Sequence, residues 1–197
     1  AGDDASRLHV ADSKQVYSPA RGIGRLEQAV LCALQLTESY PAGFRELREY
    51  LGGGAAPADD GEPWFDGHDL KLPRTETALQ TAELAERWRG CCQRRGIRLR
   101  AVQSDVVLTE RFNRLTGLYD SKGQVLSRIS LSLLRRVWDP DDDQPALVIA
   151  DKHGGRNRYD TLLDEVLDGR MIFRGRESTQ LSEYRVGRSE IRFQTRA

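Results

Sequence analysis

The chain has 197 residues, and 30 Lys and Arg balance 30 Asp and Glu, so no overall field draws it to nucleic acid and any such contact must come from a local patch. That length buries one substantial core, or one core with a large insertion, and a single domain over 1–197 is expected. Three cysteines, two of them adjacent at Cys91 and Cys92, fit neither a disulfide framework nor a zinc pattern, and no apolar run nears the roughly 20 residues of a membrane span, which points to a reduced, cytoplasmic protein with no membrane partner.

After a polar opening, residues 9–14 (HVADSK) read as a short loop. Ile23, Leu26, Val30, Leu31 and Leu34 recur at helical spacing and predict an amphipathic helix over 23–36. A second, short helix is expected over 44–51, ended by Gly52, Gly53 and Gly54. The Gly-, Ala-, Pro- and Asp-rich composition of 52–73 describes a long exposed loop inserted in the domain. Thr75 is placed to cap a helix that runs through Leu79, Ala82, Leu84, Ala85 and Trp88 to about Arg95, with Gly96 as its stop. Residues 97–108 alternate well enough for a strand, 109–118 read as a short helix, and Ser121 opens a longer one to Trp138. A strand over 146–150, a helix over 157–167 and strands at 171–174, 183–186 and 190–194 complete the chain. Helix and strand alternate before a strand-rich end, which favours an α/β architecture with a mixed sheet. The first residue is Ala1, the only methionine is Met171, and the strand at 190–194 ends the chain abruptly, so an excerpt of a longer protein, cut at both ends, is expected.

The most informative stretch is ALVIADKHGGRNRY, residues 146–159, in which a buried strand delivers Asp151 to the rim of a sheet and a basic, glycine-rich turn comes at once after it. Carboxylates at strand ends bind hard cations such as Mg2+, but two-metal phosphodiester chemistry needs several acids around ions about 3.5 to 4 Å apart, and no second acid lies in this turn. Gly154 and Gly155 permit close backbone approach, so the turn can offer N–H groups to an anion, and Lys152, His153, Arg156, Asn157 and Arg158 surround it with cationic and polar groups. An ion-pair cluster capping the next helix fits the same residues. Lys14, in the Asp12-Ser13-Lys14 triplet, can reach a backbone phosphate, although the triplet also reads as a loop and helix cap. Phe112-Asn113 and Ser121-Lys122-Gly123 allow the same two readings. Glu177 is placed to join Asp151 or to pair with Arg174 or Arg176, in a cluster with Ser178, Ser182, Tyr184 and Arg185. Asp66, His68 and Asp69 suit a transition metal only with a further ligand folded over them. Cys91 and Cys92 read as helix packing and a surface thiol.

These segments, in this order, resemble the ribonuclease HII family, and more closely a divergent, planctomycete-type branch of ribonuclease HII-like proteins. Asp12-Ser13-Lys14 is similar to the family's Asp-Ser-Lys segment, which implies that Lys14 helps hold the substrate backbone. Asn113 stands where family members carry an asparagine ahead of their long central helix. Asp151 resembles the metal-binding aspartate of the family's Val-Asp-Gly strand end, and the run Lys152, His153, Gly154, Gly155, Arg156, Asn157 is similar to a Lys-His-Gly-Gly-Arg-Asn run of the branch. The family's Asp-Glu-Ala-Gly motif has no counterpart in 1–10, and its last acid would lie beyond Ala197. Of the acids the resemblance implies, only Asp151 is placed. The implied fold is a ribonuclease H-like α/β mixed sheet flanked by helices, incomplete at both ends. The implied activity is hydrolysis of the RNA strand of RNA/DNA hybrids with Mg2+ or Mn2+, with this excerpt inactive alone and no obligate protein partner evident. The alternative is a non-catalytic nucleic-acid or phosphate-binding module of the same fold.

Overall fold

The computed structural model describes residues 8–20, 22–53, 62–65, 67–75 and 77–195. Two compact units divide the chain, Ala1–Ser104 and Asp105–Ala197, and each has its own cluster of buried apolar side chains.

The first unit is helical where it is described: α1 (Ser13–Val16), α2 (Gly24–Leu36), α3 (Phe44–Leu51), one 3-10 turn at Pro63–Phe65 and α4 (Ala78–Arg94). The apolar spacing over 23–36 puts Leu31, Cys32 and Leu34 of α2 inside, and α4 answers with Leu84 and Ala85. Cys32 is wholly buried with its sulfur 3.5 Å from the Thr81 carbonyl, and burial pushes its thiol up to about 11, so it packs as a small apolar group rather than acting as a nucleophile.

The α4 cap differs from the expectation. Thr77 forms it, accepting from the Gln80 N–H at 3.1 Å while the Gln80 side chain accepts from the Thr77 N–H at 3.0 Å, a reciprocal pair that satisfies two helix-end donors. Thr75 is drawn away by Glu27, whose carboxylate accepts from the Arg74 N–H at 2.6 Å, the Thr75 N–H at 2.8 Å and the Thr75 hydroxyl at 2.5 Å. Burial raises the Glu27 pKa, and these hydrogen bonds outweigh it and leave the carboxyl below its ordinary value. The described end of the expected 52–73 loop is tied down as well. Phe44 N–H donates to Leu70 O at 2.9 Å, Leu72 N–H donates to Ala42 O at 3.0 Å, and Asp69 accepts from Arg45 N–H at 2.9 Å. Asp69 thus serves the first turn of α3, and Asp66 lies outside the described residues. The strand expected over 97–108 is not formed. Alternation there meets no pairing edge: Ile97 N–H bonds back to Cys92 O, Ser104 N–H bonds to Leu51 O, and Ile97 and Val106 stay exposed.

The second unit is α/β, a four-stranded mixed sheet flanked by helices: α5 (Thr109–Tyr119), α6 (Lys122–Val137), β1 (Leu147–Asp151), α7 (Asp160–Val166), β2 (Ile172–Glu177), β3 (Leu181–Val186) and β4 (Ser189–Gln194). The strand order is β1-β4-β3-β2, with β1 parallel to β4 and the other pairs antiparallel. Ser121 caps α6 as expected, its hydroxyl accepting from Gln124 N–H at 3.4 Å. Strand alternation gives this sheet two different faces. One carries Val148, Ala150, Tyr184, Val186, Ile191 and Phe193 against Leu131 and Leu134 of α6 and Leu162 and Leu163 of α7. The other carries Leu147, Glu190, Arg185 and Phe173 in one row across the strands, then Ile149, Arg192 and Glu183, then Asp151, Gln194 and Leu181. On that second face Leu147, Ile149 and Phe173 remain 54%, 52% and 48% exposed.

The stacked rings of Phe193 and Tyr159, 3.7 Å apart and parallel, sit at the centre of the packed face. Phe193→Ala is expected to cost about 3–5 kcal/mol, read as a lowered urea midpoint, whereas Leu147→Ala on the open face should change stability by no more than about 0.5 kcal/mol.

Candidate nucleic-acid interface

Because β1 and β4 are parallel, both deliver their last residues to the same carboxyl rim, the place where open α/β sheets bind ligands. Asp151 stands opposite Gln194 there, and the ladder runs one residue further, Lys152 N–H donating to Gln194 O at 3.2 Å. Pleat alternation sends the exposed Asp151 to the open face and the next side chain, Lys152, to the packed face.

Lys152 lies under the turn that begins there. Its ammonium donates to Ser178 O at 2.5 Å, Ser182 Oγ at 2.9 Å, Asn157 Oδ1 at 3.0 Å and Arg156 O at 3.2 Å, four acceptors for three protons. Ser182 is itself fully buried and donates to Asn157 O at 2.6 Å. Burial holds the Lys152 pKa below its ordinary value, with Glu177 opposing. One side chain therefore joins both ends of the turn to the β2–β3 connection.

His153 anchors the turn from its other side. Its N–H donates to the Tyr159 hydroxyl at 2.9 Å, and its Nδ1 is 3.0 Å from the hydroxyl of Ser127, a wholly buried residue of α6. The ring packs edge-on against Tyr159 and Phe193. Burial, helped by Arg156, lowers the His153 pKa, and Asp151 opposes the shift. A second relay begins at Tyr159, whose N–H donates to the Tyr184 hydroxyl at 2.8 Å, and that hydroxyl donates to Glu177 at 2.5 Å. Burial and then Glu177 push the Tyr184 phenol far up, so it stays a donor throughout the ordinary pH range.

Glu177 does not meet Asp151. It is engaged by Tyr184, by Arg174 at 3.5 Å and by Arg158 at 3.7 Å, on the strand at the opposite edge of the sheet, three strand spacings or about 14 Å from β1. Arg174 also pairs with Asp160 at the start of α7. Among the described residues no three His, Cys, Asp or Glu side chains converge as a metal site, so the described residues do not fit Mg2+ or Mn2+ as a complete set of ligands.

Above these anchors the turn is open. Gly154 has φ +60°, a conformation that favours glycine, and neither Gly154 nor Gly155 has a heavy atom within 4 Å of where a Cβ would stand. Arg156 N–H closes the bend on His153 O at 3.3 Å, and the Arg158 side chain is 78% exposed. The rim thus offers two unencumbered glycines and two guanidinium groups on a braced backbone, an arrangement suited to an anion. The other candidates belong to other elements. Lys14 is exposed in the first unit, its N–H donating to Asp12 at 2.8 Å, and Asn113 is exposed on α5, which packs on α6. Sequence reasoning groups Tyr184 with Glu177, and the two are hydrogen-bonded, but it gives no role to Ser127 or Tyr159, although Tyr159, an aromatic closing a basic turn just before a helix, is a usable signal.

Comparison with protein-family models, with curated proteins and with solved structures returns no match.

Lys152→Met removes the shared donor from four acceptors and is expected to destabilise the second unit by about 2–4 kcal/mol in urea unfolding, with Asp151→Asn changing it far less. The lowered His153 pKa makes a pH prediction of definite sign. Its contribution is complete above the unfolded value of about 6.5 and is lost as pH falls below that toward the folded pKa, because the unfolded chain takes up the proton first. The loss of thermal stability between about pH 7.5 and pH 5.5 should shrink in His153→Gln.

Proposed function

We propose that the turn from Asp151 to Arg158 binds the phosphate backbone of nucleic acid, with RNA/DNA hybrids as the substrate class implied by the resemblance to ribonuclease HII. On the same ground we read the α/β unit as ribonuclease H-like. The observation that carries the binding reading is the bracing of the turn by Lys152: the backbone is held before any ligand arrives, so little ordering cost falls on binding. Arginine side chains and backbone N–H groups are the usual phosphate ligands, and they position a duplex without reading its sequence. In a chain with no net charge, attraction must come from such a local group.

A second reading, hydrolysis supported by Mg2+ or Mn2+, draws on the exposed carboxylate of Asp151 at the rim where the parallel pair ends. It requires acids beyond those that the described residues bring together.

The test is a titration of a labelled RNA/DNA hybrid over a salt series. Affinity should fall linearly on logarithmic axes as salt rises, and the Arg156→Ala/Arg158→Ala pair should weaken binding and flatten the slope by about one to two. Salt-independent binding, or an unchanged slope in the double variant, would contradict the reading. Mg2+-dependent cleavage of the same hybrid that disappears in Asp151→Asn would add hydrolysis to it.

A further inference from the structure

The open face of the sheet carries a feature that the turn does not explain. In the row farthest from Asp151, Phe173 of β2 lies beside Arg185 of β3, with the Arg185 guanidinium carbon 5.2 Å from the ring centroid. These two border a hollow of about 510 Å³ whose far end is formed by Arg188 and Glu190. Gly175 keeps its floor low: a Cβ there would stand 3.2 Å from Glu183 O and 3.3 Å from Glu183 Cβ. The strand pairing also shifts register between Arg174 and Glu177, which bends β2 at this point.

Charge decides what such a hollow suits. Both acids beside it are answered within the sheet, since Arg192 reaches Glu190 at 2.6 Å and Glu183 at 3.7 Å. Among the described residues Arg185 and Arg188 have no carboxylate partner; Arg188 donates only to the Asp143 carbonyl, at 3.3 Å. A half-exposed aromatic ring with one guanidinium over it and a second bordering the same hollow, neither paired to an acid among the described residues, is a stacking platform with phosphate ligands beside it, the combination by which open sheets hold unpaired nucleotides. A purely apolar partner would leave both cations desolvated without compensation.

We infer that the open face of the β1-β4-β3-β2 sheet binds single-stranded nucleic acid, with a base stacked on Phe173 and the neighbouring phosphates met by Arg185 and Arg188. This extends the reading of the turn and rests on it. Four residues along the strands and three strands across put the platform roughly 20 Å from Asp151 on the same face, so a strand leaving a duplex held at the rim crosses the sheet to reach it.

The test uses the full chain, a short labelled oligouridylate and a blunt RNA/DNA hybrid. Phe173→Ala should weaken oligouridylate binding by about fivefold to a hundredfold and leave blunt-hybrid binding unchanged. Phe173→Trp should keep the affinity, and its added fluorescence should be quenched as oligouridylate saturates. Circular dichroism of both variants should match that of the parent, because the ring is half-exposed and outside the core. Equal oligouridylate affinity in Phe173→Ala, or no quenching in Phe173→Trp, overturns the inference and leaves the turn reading standing. Loss of hybrid binding in the Arg156→Ala/Arg158→Ala pair reports on the turn alone. Self-association abolished by Phe173→Ala, with no oligouridylate bound, overturns the inference in favour of a protein contact.

Discussion

The second unit's rim is organised by one ammonium group. Lys152 holds the carbonyl of Arg156, the side chain of Asn157, the carbonyl of Ser178 and the hydroxyl of Ser182 together, and so joins the start of the basic turn, its end and the β2–β3 connection. A lysine in this position is costly to bury unless its protons are fully used, and here the acceptors outnumber them. That surplus fixes the geometry more firmly than any single bond. The rest of the turn is anchored from its other side: His153 is held against Ser127 and Tyr159, Gly154 takes the left-handed bend, and Arg158 reaches outward beside Glu177.

The same strand alternation that turns Lys152 toward the packed face exposes Asp151. One face of the sheet is consumed by the stacked Tyr159–Phe193 pair and the apolar sides of α6 and α7; the other presents a carboxylate at the rim and an aromatic with arginines at the far row. Division of labour between faces lets a single short run serve stability and the binding proposed above. Substitutions that reach the packed face are expected to act through folding, and those on the open face or the crest of the turn through ligand contact.

Much of this was legible in the sequence because it depends on local rules. Helical spacing placed α2 and α6, Ser121 announced the start of α6, and alternation placed β3 and β4. The strand-then-glycine pattern located Asp151 at the end of a strand. What local rules do not reach is long-range. Thr75 is a good cap by type, but Glu27 from α2 takes its hydroxyl. Residues 97–108 alternate like a strand, yet pairing needs a partner edge and none is supplied there. A lysine in a basic turn looks like a ligand contact, and only the fold shows that Ser178 and Ser182, 26 and 30 residues away, receive its protons. Of the two partners expected for Glu177, Arg174 is met at 3.5 Å, whereas strand order puts Asp151 at the opposite edge.

The central claim is that a pre-braced turn is the phosphate contact, and backbone amide shifts test it directly. In a 15N-labelled chain titrated with a short RNA/DNA hybrid, the Gly154 and Gly155 amide signals should move in a saturable way at low salt and return as salt is raised. Saturable binding that leaves both glycine amides unmoved, or no binding at all at low salt, would contradict the account.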